Sequence, residues 1–153
     1  MNRRHSILAT TLVLLFLASA RGQETIKPLG GQWATLVAIT GFHQAFDKQN
    51  DFEVRLLEAD GSATVAMNPV ALYVVITNSS SAADLQYHVW RLPHGVSKVK
   101  GVKLTPPILR IQAETDADPW DSSKRVGKVF SVQYSISHGV LSDTLLVSEE
   151  PLR

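Results

Sequence analysis

Apolar and polar positions alternate with a period of two through much of the chain. In VFSVQYSIS, Phe130, Val132, Tyr134 and Ile136 fall on one side, and Ser131, Gln133, Ser135 and Ser137 on the other. Successive side chains of a strand point to opposite faces, so this segment predicts a half-buried antiparallel strand. His138-Gly139 follows and reads as the tight turn of a hairpin. Its second strand, VLSDTLLVSEE, would bury Leu141, Leu145 and Val147. DFEVRLLEADGSATVAM predicts a second hairpin with Phe52, Val54 and Leu56 inward and a turn at Asp60-Gly61, residue types that tolerate positive φ. ALYVVITN is apolar on both sides, with Leu72, Val74 and Ile76 on one and Tyr73 and Val75 on the other, which predicts a central strand covered on both faces.

VSKVKGVKL breaks the pattern in an informative way. Strict alternation would place Lys98 and Lys100 on the same side as Val102 and Leu104. One extra residue at a bulge near Gly101 removes the conflict, sending Lys98, Lys100 and Lys103 to solvent and Val99, Val102 and Leu104 to the core. QWATLVAIT, LQYHVWRL and ILRIQA bring the total to about eight or nine short strands separated by turn signals. The fold class is therefore all-β: an antiparallel β-sandwich, with a small up-and-down β-barrel as the alternative.

The N-terminus interrupts this β pattern. Arg3 and Arg4 precede an uncharged apolar run from Ile7 to Ala18, which ends in the small-x-small sequence Ala18-Ser19-Ala20. These are the parts of a secretory signal peptide, and the run is short of the roughly 20 apolar residues that a membrane span needs. The expected organisation is a signal peptide at 1–20, a lead-in at 21–31 and a single domain at 32–150, secreted or periplasmic after cleavage near Ala20. Lys plus Arg number 15 against 14 acids, and removal of Arg3 and Arg4 with the signal leaves a formal charge of −1. Without a basic excess, neither nucleic acid nor an anionic membrane surface is an expected partner. No cysteine is present, so the core holds without disulfides. No second long apolar run predicts a membrane span in the mature chain.

Two segments carry a resemblance. VALYVVITNSSSAADLQYHVWRLPHGVSKVKGVKL, Val70 to Leu104, resembles immunoglobulin-like repeat modules of bacterial surface proteins, in which a strand, an asparagine turn and a second strand lead into Leu-Pro-x-Gly-Val. YSISHGVLSDTLLV is similar to the last hairpin of fibronectin-III-like domains. The resemblance implies an immunoglobulin-like sandwich acting as a non-catalytic surface or adhesive module, with an unknown protein or carbohydrate as partner and no cofactor. GGQW, Gly30 to Trp33, is similar to the opening of lipocalins, which would imply a calyx for a small apolar ligand.

Candidate chemistry is sparse. In ETDADPWDSSKR, Asp116, Asp118 and Asp121 are weak calcium candidates. Calcium takes six to eight oxygen ligands, and here Pro119 stiffens the bend while no glycine opens it, so a polar connection built on Asp-Pro and Asp-Ser-Ser turns is the preferred reading. No metal is therefore assigned. Trp120 in this segment and Trp90 and His88 in LQYHVWRL are candidate partner contacts, because an exposed tryptophan anchors proteins or sugar rings. Trp90 shares a side with Gln86 and His88 and is expected on the outer face near Lys98 or Lys100, with Leu85, Tyr87 and Val89 inward. The mature histidines His43, His88, His94 and His138 show no metal-ligand spacing. A hydrolase could be written from Ser137, His138 and Asp143, but neighbours on a strand point to opposite faces, so no catalytic residue is assigned. Asn78-Ser79-Ser80 is a glycosylation sequon if the host is eukaryotic.

Expressed with its own leader, the protein recovered from the exported fraction should begin at Arg21 or Gln23, as read by intact-mass spectrometry. An intact Met1 to Arg153 chain in the membrane fraction would contradict the signal-peptide reading.

Overall fold

A computed structural model of the chain describes residues 23–28, 39–60, 70–78, 86–118 and 121–152, the side chains of Asp121 and Ser122 excepted. The expected signal peptide, Trp33, Leu85, Trp120 and the turn at Gly61 lie outside the described residues. Those residues hold eleven strands and no helix: β1 (Glu24–Ile26), β2 (Ile39–Asp47), β3 (Phe52–Asp60), β4 (Val70–Asn78), β5 (Tyr87–Arg91), β6 (Lys98–Thr105), β7 (Ile108–Asp118), β8 (Asp121–Gln133), β9 (Ile136–Ser137), β10 (Val140–Leu141) and β11 (Leu145–Pro151). The eleven include β1 in the expected lead-in, β2 over GFHQAFD where no strand was expected, and a closing hairpin that is divided, while most of QWATLVAIT lies outside the described residues. The alternation of that hairpin runs unbroken from Phe130 to Ile136, yet the ladder stops at Gln133, and the tip forms the separate pair β9–β10.

Every pairing is antiparallel. One sheet has the order β1-β11-β8-β7-β6 and the other β2-β3-β4-β5. Within each sheet, strands pair with their chain neighbours; β9 and β10 form their own small pair between β8 and β11, and β1 beside β11 joins the two ends of the described chain. A Greek-key return, in which a strand comes back beside one several positions earlier, is not seen among the inner strands of either sheet. The ladder partners of β3 are β2 and β4, with Asp60 opposite Val70; SATVAM, expected as the second strand of that hairpin, lies outside the described residues.

Burial follows the alternation. Phe52, Val54 and Leu56 of β3, Leu72, Val74 and Ile76 of β4, Leu109 and Ile111 of β7, Phe130 and Val132 of β8, and Leu145 and Val147 of β11 meet in one core drawn from both sheets. Each sheet thus buries one apolar face against the other, the arrangement that period-two sequences require. Tyr73 and Val75, on the opposite side of β4, are half-buried. The bulge lies where the lysine pattern required it: Val99 pairs with Ala113 and Gly101 with Gln112, leaving Lys100 as the extra residue. Lys98, Lys100 and Lys103 are exposed, while Val99, Val102 and Leu104 pack against the core. His138 and Gly139 have φ of 51° and 76°, the left-handed values a tight hairpin turn needs.

The sheets are joined at two corners. At one, the chain leaving β5 continues beside β4: Leu92 N–H donates to the Leu72 carbonyl at 2.9 Å, and Val96 exchanges hydrogen bonds with Val70 at 2.9 and 3.0 Å. Ser97 N–H then donates to the Glu114 carbonyl at 2.8 Å and the chain enters the other sheet as β6. At the second corner, the fully buried carboxylate of Asp47, the last residue of β2, accepts a hydrogen bond from the Tyr134 hydroxyl at 2.8 Å. Asn50 Nδ2 donates to the same oxygen at 2.8 Å, and the Gln49 and Asn50 backbone N–H groups donate to the other at 3.2 and 3.3 Å. Burial opposes ionisation of Asp47, but the hydrogen bonds from Asn50, Tyr134 and the Gln49 and Asn50 amides outweigh it and hold the carboxyl below its ordinary range. Burial, then the bond to Asp47 and its charge, push the Tyr134 hydroxyl well above the usual phenol value.

Tyr134→Phe should cost about 1–3 kcal/mol, the loss of one donor to a buried carboxylate. Because the folded-state pKa of Asp47 is depressed, its contribution is present above the unfolded value of about 3.9 and is lost as pH falls through the folded value. The gap between wild type and Tyr134→Phe in denaturant melts should therefore be full at about pH 6 and shrink below about pH 4. A gap that stays constant to about pH 2 would show that the carboxylate is not the acceptor that matters.

Candidate functional site

His88 and Trp90 lie on the inner side of β5, the reverse of the expected assignment. Cross-strand partners share a face, and here Trp90 pairs with Val74 and His88 with Ile76, both core residues of β4. Trp90 is 0% exposed, its indole N–H 3.5 Å from the Asp143 carbonyl oxygen, at the long limit of a hydrogen bond. It is a core residue, not an outer-face neighbour of Lys98 or Lys100. The His88 ring stands edge-on to it, centroids 5.3 Å apart. Gln86 completes the row as a rung to the closing hairpin, its Nε2 donating to the Gly139 carbonyl at 3.3 Å and its Oε1 accepting from Leu141 N–H at 3.2 Å. Tyr87 and Val89, expected inward, lie on the opposite side of β5, where Tyr87 is exposed while Val89, across from Val75, is buried.

The geometry also separates the residues from which a hydrolase could be written. Asp143 Oδ1 lies 3.6 Å from His88 Nε2, whereas His138 contacts Ser137 Oγ at 3.1 Å on the exposed turn. A histidine base of the serine-hydrolase kind presents one ring nitrogen to a carboxylate and the other to a hydroxyl. The second nitrogen of His88, Nδ1, is buried and meets no hydrogen-bond partner. His43 Nε2 is 2.8 Å from Glu58 Oε1, a contact that passes over Gly41, where a Cβ would stand 2.6 Å from the same oxygen.

ETDADPWDSSKR is mostly strand. The β7–β8 ladder continues past the core, with Glu114 opposite Gly127, Asp116 opposite Arg125 and Asp118 opposite Asp121, so only Pro119 and Trp120 separate the strands. Where a polar connection was expected, residues 114–118 and 121–125 are thus paired strand. Glu114 and Asp116 alternate onto the outer face, and the register shifts between Asp116 and Asp118. Asp116 has a side chain only 3% exposed, accepts from Ser97 Oγ at 2.7 Å and lies 3.7 Å from Arg125 Nε. Glu114 takes Lys100 Nζ at 2.7 Å and lies 4.0 Å from Arg125 Nη1. The Lys100 hydrogen bond holds the Glu114 carboxyl below its ordinary range against partial burial, and the charges of Lys100, Arg125 and Lys98 add to it. Two acids of the stretch are thus committed to protein cations, and among the described residues no three His, Asp or Glu side chains gather at metal-binding distance.

Two outer faces carry residues that the sequence did not single out. On the four-stranded sheet, Phe46, Glu53, Thr77 and Tyr87 form one cross-strand row, and Phe42, Leu57, Tyr73 and Arg91 another. Phe42, Phe46 and Tyr87 are 53%, 55% and 51% exposed. Between the rows lie Gln44 and Arg55, which hold the Glu53 carboxylate of the first row, Arg55 Nε donating at 2.9 Å. On the five-stranded sheet, the outer face of β6 and β7 carries Lys98, Lys100, Lys103 and Arg110. Phe42 and Phe46 had a signal in GFHQAFD: alternation there places both phenylalanines on one side and His43 and Asp47 on the other.

Added calcium should leave the melting temperature unchanged. A native-state ligand at a hundred times Kd would stabilise by about 2.7 kcal/mol, several degrees for a domain of this size. A calcium-dependent rise abolished by Asp116→Asn with Asp118→Asn would restore the metal-site reading.

Comparison with family models, with curated proteins and with solved structures finds no match.

Proposed function

We propose that the chain is a secreted or periplasmic, non-catalytic binding module, and that a protein or carbohydrate partner lies against the outer face of the four-stranded sheet. The observation that carries this reading is the placement of Phe42, Phe46 and Tyr87, each more than half exposed, on one face. Single exposed apolar residues are ordinary, but aromatics grouped on a rigid sheet supply large contact area at low entropic cost. Four residues along a strand put Phe42 and Phe46 about 13 Å apart, and three strand spacings put Tyr87 about 14 Å from Phe46, dimensions of a modest protein footprint or a short glycan. Gln44, Arg55, Glu53 and Arg91 give the patch polar groups of the kind found at interface rims.

The resemblance to immunoglobulin-like and fibronectin-III-like modules supports an adhesive role, and the two-layer architecture agrees with it at the level of fold class. The neighbour-to-neighbour ladder departs from the Greek-key order of those modules. That same ladder favours the second reading, a lipocalin-like carrier, since up-and-down order is the order of a calyx. Against the carrier stands the filled interior: Trp90, Val74, Ile76, Ile111, Val132 and Leu145 are fully buried in one cluster. A small secreted hydrolase finds less support, because His88 and Asp143 meet without a hydroxyl on the other ring nitrogen.

A glycan array and a quantitative pull-down from secreted and surface fractions should return a partner that the variant Phe42→Ser/Phe46→Ser/Tyr87→Ser binds at least tenfold more weakly, given that buried aromatic anchors contribute on the order of 2 kcal/mol or more each. The variant's melting temperature should stay near that of wild type. Undiminished binding by the variant removes the aromatic face, and saturable uptake of a fluorescent fatty acid would support the carrier.

A further inference from the structure

We propose a second binding site, for an oxyanion, on the outer face of the five-stranded sheet, built by Lys103, Arg110 and Gln112 beside the Gly101 bulge. It lies on the opposite sheet from the aromatic patch and does not depend on that reading.

The register places Lys103 directly opposite Arg110 on this face. Cross-strand neighbours have Cβ atoms about 5 Å apart, and like charges so placed repel. Both side chains are exposed and neither forms a hydrogen bond or ion pair with any described residue. Their neighbours on the face supply no acid: Gly101 opposes Gln112, Val129 follows Gln112 on β8, and Ser131 opposes Arg110. Elsewhere on the sheet, cations are matched, Lys100 with Glu114 at 2.7 Å and Lys128 with Glu149 at 2.6 Å. Glu150, opposite Val129 on β11, is two strands from Gln112, about 10 Å away. Lys100, Arg125 and Lys128 thus each have a carboxylate partner, whereas Lys103 and Arg110 stand side by side with none among the described residues.

That pair borders a concavity. Gly101, Val102, Lys103, Arg110, Gln112 and Val129 line a half-open hollow of about 450 Å³. The bulge twists β6 locally, and Gly101 contributes backbone without a side chain to the lining. An oxyanion seated there would bridge the ammonium of Lys103 and the planar guanidinium of Arg110, convert their repulsion into two charge-assisted hydrogen bonds, and accept a third from the Gln112 amide. Carboxylate, phosphate and sulfate share this chemistry.

The test is an amide chemical-shift titration of the secreted chain at low ionic strength, with inorganic phosphate, inorganic sulfate and acetate as separate probes. Saturable shifts centred on Gly101, Lys103, Arg110 and Gln112 are expected. Saturation by phosphate and sulfate alone selects a tetrahedral oxyanion; saturation by acetate as well extends the site to carboxylates. Lys103→Gln and Arg110→Gln should each weaken binding at least about tenfold, whereas Lys100→Gln, whose cation is already paired, should change it little. In chloride buffer, Arg110→Gln should melt slightly higher than wild type, because the like-charge contact is gone, and phosphate should reverse the order. Shifts that spread over all lysines without saturating, or binding by the Lys103→Gln and Arg110→Gln variants as tight as that of wild type, overturn the site.

Discussion

The buried Asp47 carboxylate is the constraint on which the arrangement of the two sheets turns. An ionised group removed from water needs compensation at each oxygen, and Asp47 obtains it from two sources: its own turn, through Gln49 and Asn50, and the far sheet, through Tyr134. The turn fixes where β3 starts. The tyrosine fixes where the exit of β8 lies against it. Tyr134 is itself tied by its N–H to the Pro107 carbonyl at 3.1 Å, so the β6–β7 turn is drawn into the same corner. At the opposite corner the connection is backbone alone, through Leu92 and Val96 beside β4. Between these two attachments the apolar faces have one relative position in which both can be covered.

This explains which parts of the fold were legible in the sequence. Alternation reports the face of a strand when one side is plainly apolar, and in β3, β4 and β8 the inward residues were read correctly. The Gly101 bulge was legible for a stronger reason, since lysines and valines in conflicting phase admit one repair. The β7–β8 tip was not legible as strand because ETDADPWDSSKR has hardly an apolar side. Its pairing is held by ladder hydrogen bonds and by Arg125 across from Asp116, which period counting does not detect.

The candidate site was misread at β5 for a related reason. Gln86, His88 and Trp90 look like a polar face beside Leu85, Tyr87 and Val89, and a shift of phase by one residue reverses every side chain. The deciding information is in another strand: Val74 and Ile76 face the core, and their partners Trp90 and His88 follow. Gln86 is then not a solvated residue but a rung between β5 and the closing hairpin. Trp90, large and with a single donor, is buried in the core with its indole N–H toward the Asp143 carbonyl, so a residue expected as a partner contact serves packing instead.

What is left on the outside follows from what the inside consumed. With the inner faces committed to the core and the corner acids to hydrogen bonds, variation that does not disturb the fold is concentrated on the two outer faces, and these differ in character. One presents Phe42, Phe46 and Tyr87; the other presents Lys103 and Arg110 side by side. Each feature is unfavourable to an isolated domain: exposed aromatics on an edge strand such as β2 invite association, and adjacent like charges repel across the ladder. The sequence compensates similar features elsewhere, pairing Lys100 with Glu114 and holding Glu53 with Arg55 and Gln44. Uncompensated residues among compensated neighbours are where a partner's contribution would be felt most. The physical case for binding therefore rests less on the fold than on these two local features of the outer faces.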